Sequence, residues 1–329
     1  MTFHRRHFLL AGSAGIAALA GLPARAQSIP DNARIYAGFA AGGTVDVTSR
    51  RVADKLRDVL AKQVTVENRT GAGGQVALSA LKAAAPDGLT LVVTPMSMLG
   101  IYPHTYKKLP YDPTADFVAV SLAVRFEFGF GVGPLVPASV RTVNDYAAWV
   151  KANPKEASFG SPAPGSVPHF VGELFGRAAN LPDFRHVGYR GSQPAIMDLM
   201  GGQLSAVSAP VGEFMPHLAS GKVRLLATSG QARNKFVPDA PTFVEQGFKD
   251  LVFEEWFGVF APARTPAEMI NRISAGVRNA LASKDLIDGL AQMGLEARGS
   301  TPAELAAMLK KDSERWGPIV KAIGFTADS

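Results

Sequence analysis

Apolar and polar positions alternate along this chain with two periods, one suited to strands and one to helices. The apolar run 33–37 reads as a strand. The run 44–60 reads as a helix with Val45, Val52, Leu56 and Val59 on one face and Arg50, Arg51, Asp54 and Arg57 mostly off it. Residues 64–66 form a second strand, a helix starts near Gln75, and 89–93 form a third strand. The strand 117–122 is expected to leave this first unit. Beyond it the pattern predicts helices at 144–152, 169–179 and 193–200, and strands at 157–160, 184–188, 204–208 and 223–228. A strand at 253–261 leads back, and helices follow at 266–282, 284–293 and 302–323. Ser192 is placed to cap the helix at 193–200. Thr265-Pro266-Ala267-Glu268 and Thr301-Pro302-Ala303-Glu304 both carry Thr, Pro and Glu in the order of a helix start.

This order predicts an α/β fold in two lobes, each a mainly parallel sheet flanked by helices. The expected lobes are 27–124 plus 249–329, and 125–248. Two crossings between lobes make a hinge, and a ligand belongs in the cleft between them.

The turns between strands and helices carry the candidate chemistry. Gly38-Phe39-Ala40-Ala41-Gly42-Gly43-Thr44-Val45-Asp46 joins the first strand to the first helix. Adjacent glycines permit positive φ and close approach of a ligand, and the free amides of the helix start suit an anion. Gly71-Ala72-Gly73-Gly74 repeats the device after the second strand, and the loop from Ser161 to Pro168 is a third such entrance. Thr94 and Ser97 offer hydroxyls at the same sheet edge. Neither glycine run fits a nucleotide fingerprint, because Gly71 to Val76 lacks a third glycine in register and no phosphate-loop lysine motif occurs. The pattern implies a clamp for a carboxylate.

Composition narrows the setting. Residues 1–26 read as an export signal: Arg5-Arg6 is a twin-arginine pattern, 10–22 is apolar, and Ala24-Arg25-Ala26 is a cleavage site, so the mature chain is expected to start at Gln27 in a bacterial periplasm. Without the signal's three arginines, 31 basic residues face 28 acidic ones, so the formal charge falls from +6 to +3 and gives no case for nucleic acid. Zero cysteines exclude disulfides and thiolate metal sites.

Catalytic patterns are missing from the sequence. His104, His169, His186 and His217 show no metal-ligand spacing, and no serine stands in G-x-S-x-G. His169 is expected to shape its loop, and Asp46 to serve as a dipole partner or loop brace. Trp149, Trp256 and Trp316 read as packing residues. Arg125, Phe126, Glu127 and Phe128, near the first crossing, read as strand and core that can tune ligand choice. The expectation is a binding protein with no cofactor and no metal, and not an enzyme.

These segments together resemble the periplasmic substrate-binding proteins of tripartite tricarboxylate transporters, the Bug receptors. The resemblance spans 35–323. It is carried by Phe39 to Asp46, Val66 to Gly74, Ala85 to Leu91, Tyr111 to Phe117, Tyr189 to Ser192, Asp198 to Gln203 and Pro241 to Gly247. It implies a monomeric, two-lobed flytrap that closes on a small organic acid, a di- or monocarboxylate with an aromatic body as one option, and hands it to membrane permease subunits. The candidate ligand-binding set is Phe39, Gly42, Gly43, Thr44, Asp46, Gly71, Ala72, Gly73, Gly74, Ser97, Ser161, Gly165, Ser166, His169 and Ser208. The chain departs from the family pattern at Gly38, Ala163, Pro164 and Gly188. After the strand ending near Val207 it reads Ser208-Ala209-Pro210, with no acid, which predicts a ligand without an ammonium group. Two other roles stay open on the same fold: a ligand-loaded partner of a membrane kinase, and a periplasmic enzyme.

Overall fold

The computed structural model describes residues 29–327. The expected signal segment and the start at Gln27 lie outside the described residues. In chain order the strands are β1 (Asn32–Ala37), β2 (Gln63–Asn68), β3 (Thr90–Pro95), β4 (Phe117–Val132), β5 (Ser158–Ser161), β6 (Arg185–Gly188), β7 (Ala206–Pro210), β8 (Arg224–Thr228), β9 (Glu254–Pro262) and β10 (Glu296–Ala297). The helices are α1 (Thr44–Lys55), α2 (Gln75–Lys82), α3 (Tyr102–Thr105), α4 (Val143–Ala152), α5 (Val167–Ala178), α6 (Ser192–Met200), α7 (Val211–Leu218), α8 (Ala267–Leu281), α9 (Lys284–Ala291) and α10 (Pro302–Ile323).

The strands run β2-β1-β3-β9-β4-β7-β5-β6, with β8 and β10 also on β4. Pairings made by the βα units are parallel, namely β1 with β2 and β3, and β5 with β6 and β7. The crossing strands β4 and β9 pair antiparallel to each other and to their neighbours. Each half-sheet is therefore mixed, because a chain that leaves one lobe and returns must reverse direction.

β4 is the joint. Phe117 to Glu127 pairs with β9, and Phe128 to Val132 pairs with β7 and β8. The lobe boundary expected at 125 thus falls inside one continuous 16-residue strand. The core follows the apolar pattern: Val45, Val52 and Leu56 of the first helix face are buried. The C-terminal segment braces both halves. In α10, Trp316 stacks on Phe170 of α5 at 5.8 Å, and beyond it Ala327 pairs with Tyr106.

Two capping expectations separate here. Thr301 forms a full capping box with Glu304 at the start of α10. Thr265 instead gives its hydroxyl to the Pro262 carbonyl, so α8 starts one residue later than the motif implies and has no side-chain cap. Ser192 is the first residue of α6 and not its cap, a place taken by Gly191 at φ +121°. No helix among the described residues is long and apolar enough to cross a membrane.

Candidate functional site

A cleft lies between the half-sheets. From the first half it is lined by the β1–α1 turn (Phe39, Gly43, Thr44), the end of β3 with Ser97 and Met98, and Glu255 and Phe257 of β9. The second half contributes Phe128 of β4, the loop before α5 with Ser166, the start of α6 with Gln193, and Glu213 of α7. Phe126, next to the joint in β4, completes an aromatic wall and packs on Phe257 at 4.5 Å between ring centroids.

Gly42 takes φ +82°, and the turn delivers Thr44 with its amide and hydroxyl facing a carboxylate. That carboxylate is the protein's own. Thr44 N and Oγ1 both donate to Glu213 Oε1 at 2.8 Å, across the cleft, and Gln193 Nε2 donates to Oε2 at 2.7 Å. Burial raises the Glu213 carboxyl above its ordinary range against the pull of these donors.

A second buried acid stands across from it. Glu255 accepts from Ser97 N at 2.7 Å and from Ser97 Oγ, both on Oε1. Burial pushes its carboxyl up to about 7. Ser97 opens a five-residue π-helical turn, Ser97–Ile101, and its hydroxyl also accepts from Val167 N at the start of α5. Thr44–Glu213 and Ser97–Val167 are therefore two hydrogen-bonded ties between the halves.

The sequence-predicted residues divide into two groups. Phe39, Gly43, Thr44, Ser97 and Ser166 line the cavity. Gly42, Asp46, Gly71, Ala72, Gly73, Gly74, Ser161, Gly165, His169 and Ser208 lie outside its lining. Asp46 braces the turn: it accepts from Gly42 N, Arg50 and the Asn68 amide, and these donors outweigh burial to hold its carboxyl below the usual range. The Gly73 carbonyl accepts from the Tyr102 hydroxyl, and Gly74 packs behind Phe39 and Met98. His169 Nδ1 accepts from Gly165 N, and the ring lies 3.9 Å from that of His186, which bonds the Ser161 hydroxyl. Burial, then the neighbouring His169, lowers His186 to about 2. Ser208 is buried in β7, and its hydroxyl has no hydrogen-bond partner.

Sequence reasoning missed the two acids. The expectation that no acid follows β7 is corrected: α7 supplies Glu213 three residues beyond Pro210. α7 itself was not predicted, because Gly212 and Pro216 sit inside an eight-residue helix and break its signal. Glu255 sits in a predicted strand, next to Glu254 and before Trp256, where nothing local separates a buried acid from an exposed one. Among the described residues, no Lys, Arg or His lines the cavity. Among the described residues no cluster of three or more His, Cys, Asp or Glu is arranged to hold a metal.

Residues 48–325 match the family model described as tripartite tricarboxylate transporter family receptor. The chain belongs to this family. The receptor is 31% identical to Protein BugT of Bordetella pertussis over 318 residues, covering 95% of this chain and 94% of that one. It is similar to MatC from Rhodopseudomonas palustris with bound malate, at 28% identity and TM-score 0.81, covering 88% and 99% of the two chains. A second Rhodopseudomonas palustris structure, with adipate, matches at 27% identity and TM-score 0.85, covering 91% and 99%. The two-lobed fold and the solute-binding role come with the family.

Proposed function

We propose that this receptor works in the periplasm, closes its lobes (27–124 plus 249–329, and 125–248) on a small organic acid, and delivers it to membrane permease subunits. It performs no chemistry on the solute. One observation carries the reading: the α1 entrance, opening on the interlobe cavity, holds the carboxylate of Glu213 with the Thr44 amide and hydroxyl at 2.8 Å each. The helix start is thus shaped for that group, with the positive end of the helix dipole behind it. Malate and adipate in related structures support the same class of solute. Phe39, Gly43, Thr44, Ser97 and Ser166 are the residues of the candidate set that reach the solute, with the Gly71–Gly74 turn and His169 supporting them from behind.

A thermal-shift screen of the mature chain against mono- and dicarboxylic acids, malate, adipate and benzoate among them, tests this. Binding to the folded state raises the melting temperature with the logarithm of ligand excess over Kd. At least one acid is expected to raise it in a concentration-dependent way. A flat response to every acid, or release of an altered acid, overturns the reading.

A further inference from the structure

The two buried acids of the cavity are not equivalent. Glu213 has donors on both oxygens, Thr44 on Oε1 and Gln193 on Oε2, and it faces the positive end of the α1 dipole. Glu255 is 3% exposed, lines the cavity, and takes both of its Ser97 bonds on Oε1. Oε2 is left for something in the cavity. A carboxylate so placed is costly unless paired, and among the described residues the lining offers no Lys, Arg or His to pair it. The wall around it is aromatic, with Phe126, Phe128 and Phe257 in one cluster, Phe126 edge-on to Phe128 at 5.6 Å. Ring faces attract cations as well as apolar surface.

We propose that Glu255 is a specificity-determining residue that receives a cationic nitrogen, so that the solute is an amphoteric organic acid with a flat apolar body. This rests on the organic-acid reading above and narrows it. The solute's nitrogen pairs with Glu255 Oε2 beside the aromatic wall. Its carboxylate lies at the starts of α1 and α6, whose residues Val45 and Ser192 line the cavity. A plain dicarboxylate brings a second negative charge against Glu255 with no base to meet it, and a plain amine brings no carboxylate to the starts of α1 and α6 beside Val45 and Ser192.

Calorimetric titration of the full mature chain with para-(aminomethyl)benzoate, para-toluate and para-methylbenzylamine separates the possibilities, since the three share one ring and differ only in their charged ends. The aminomethyl acid is expected to bind at least tenfold more tightly than either of the others. In E255Q, checked for a cooperative melt, the ratio between the aminomethyl acid and para-toluate is expected to fall to about one. If para-toluate binds the parent as tightly as the aminomethyl acid, this inference is overturned and the organic-acid function stands. If the amine alone matches the aminomethyl acid, the carboxylate contributes nothing and both fall. An unchanged ratio in E255Q, or no binding of any of the three, also overturns the role given to Glu255.

Discussion

Two glycine-rich turns open two consecutive helices in the same half of this receptor, and they do different work. The β1–α1 turn points its donors into the cleft, where Thr44 holds a carboxylate from the opposite half. In the Gly71–Gly74 turn, Gly73 and Gly74 are packed against side chains, with Tyr102 and, from the opposite half, Ala163 beside Gly73. Gly73 and Gly74 take φ +60° and +93°, Tyr102 donates to the Gly73 carbonyl at 2.9 Å, and Gly74 lies against Phe39 and Met98. The first turn is a contact surface, and the second is the wall that holds Phe39 in place behind it. Glycine is needed in the second because side chains press on the backbone, and in the first because the backbone must turn. Similar residues at similar positions thus serve recognition in one case and packing in the other.

The largest effect should come from Gly73→Ala. A Cβ there would sit 2.4 Å from the Tyr102 hydroxyl oxygen, in a backbone region that L side chains rarely adopt. Tyr102 is fully buried and cannot swing away without losing its bond to Gly73. Overpacking together with left-handed strain should cost about 4 kcal/mol, read as a lower midpoint in urea unfolding. A loss below about 1 kcal/mol would mean that this turn is as open as the first, and the contrast would be gone.

The helical faces and the succession of strands and helices along the chain were readable because their signals are local and periodic. Val45, Val52 and Leu56 mark α1 by spacing alone, and the Thr301–Glu304 box marks α10. Thr265 carries the same motif, yet its hydroxyl finds the Pro262 carbonyl three residues back, so tertiary context decided between two chemically equal choices. The site was half legible. Residues of the α1 turn were found through glycine and helix-start logic, whereas Glu213 and Glu255 were not. Their role depends on β4 bringing α7 and β9 to one cleft, and no local pattern in Val211-Gly212-Glu213 or Glu254-Glu255-Trp256 reports that meeting. The loop before α5 was found as a third entrance. There Ser166 reaches the cavity while His169 turns inward to His186.

That third entrance sharpens the comparison through charge. Glu255 in the cavity titrates near 7 when folded against an ordinary 4.5, so between these values the native state keeps a proton the unfolded chain has released. Stability therefore falls as pH rises from 4.5 to 7. His186, behind the α5 entrance, is held near 2 against an ordinary 6.5, so the unfolded chain takes a proton the native state refuses. Its contribution runs the other way, with stability falling as pH drops below 6.5. Over the shared window from 4.5 to 6.5 the two slopes oppose each other. E255Q removes one of them. Relative to the parent, the variant should gain about 3 kcal/mol between pH 4.5 and pH 8, since each tenfold difference in proton affinity between folded and unfolded chain is worth about 1.4 kcal/mol. Urea unfolding at both pH values measures it. Parallel pH profiles for parent and variant would mean that the cavity acid is ionised throughout and that the cleft is wetter than its lining implies.

The smallest effect is the most pointed. Gly43 has φ −77° and ψ 170°, an extended backbone open to any residue, and an added Cβ would meet Glu213 Oε1 at 3.3 Å and the Ala40 carbonyl at 3.4 Å. The carboxylate end can give by a few tenths of an ångström, unlike the Tyr102 ring at Gly73. Replacing glycine where the backbone suits alanine also narrows the unfolded ensemble, a gain of about 0.4–1 kcal/mol, which offsets the crowding. Gly43→Ala should therefore leave stability within about 0.5 kcal/mol of the parent, inside the range usual for substitutions away from strain and cavities. The cost should appear at the Thr44–Glu213 tie: a shifted carboxylate weakens the cross-cleft bond and speeds exchange of the Thr44 amide with solvent deuterium. If Gly43→Ala instead loses as much stability as Gly73→Ala with amide exchange unaltered, the first turn is also a packed wall, and recognition must be sought elsewhere in the cleft.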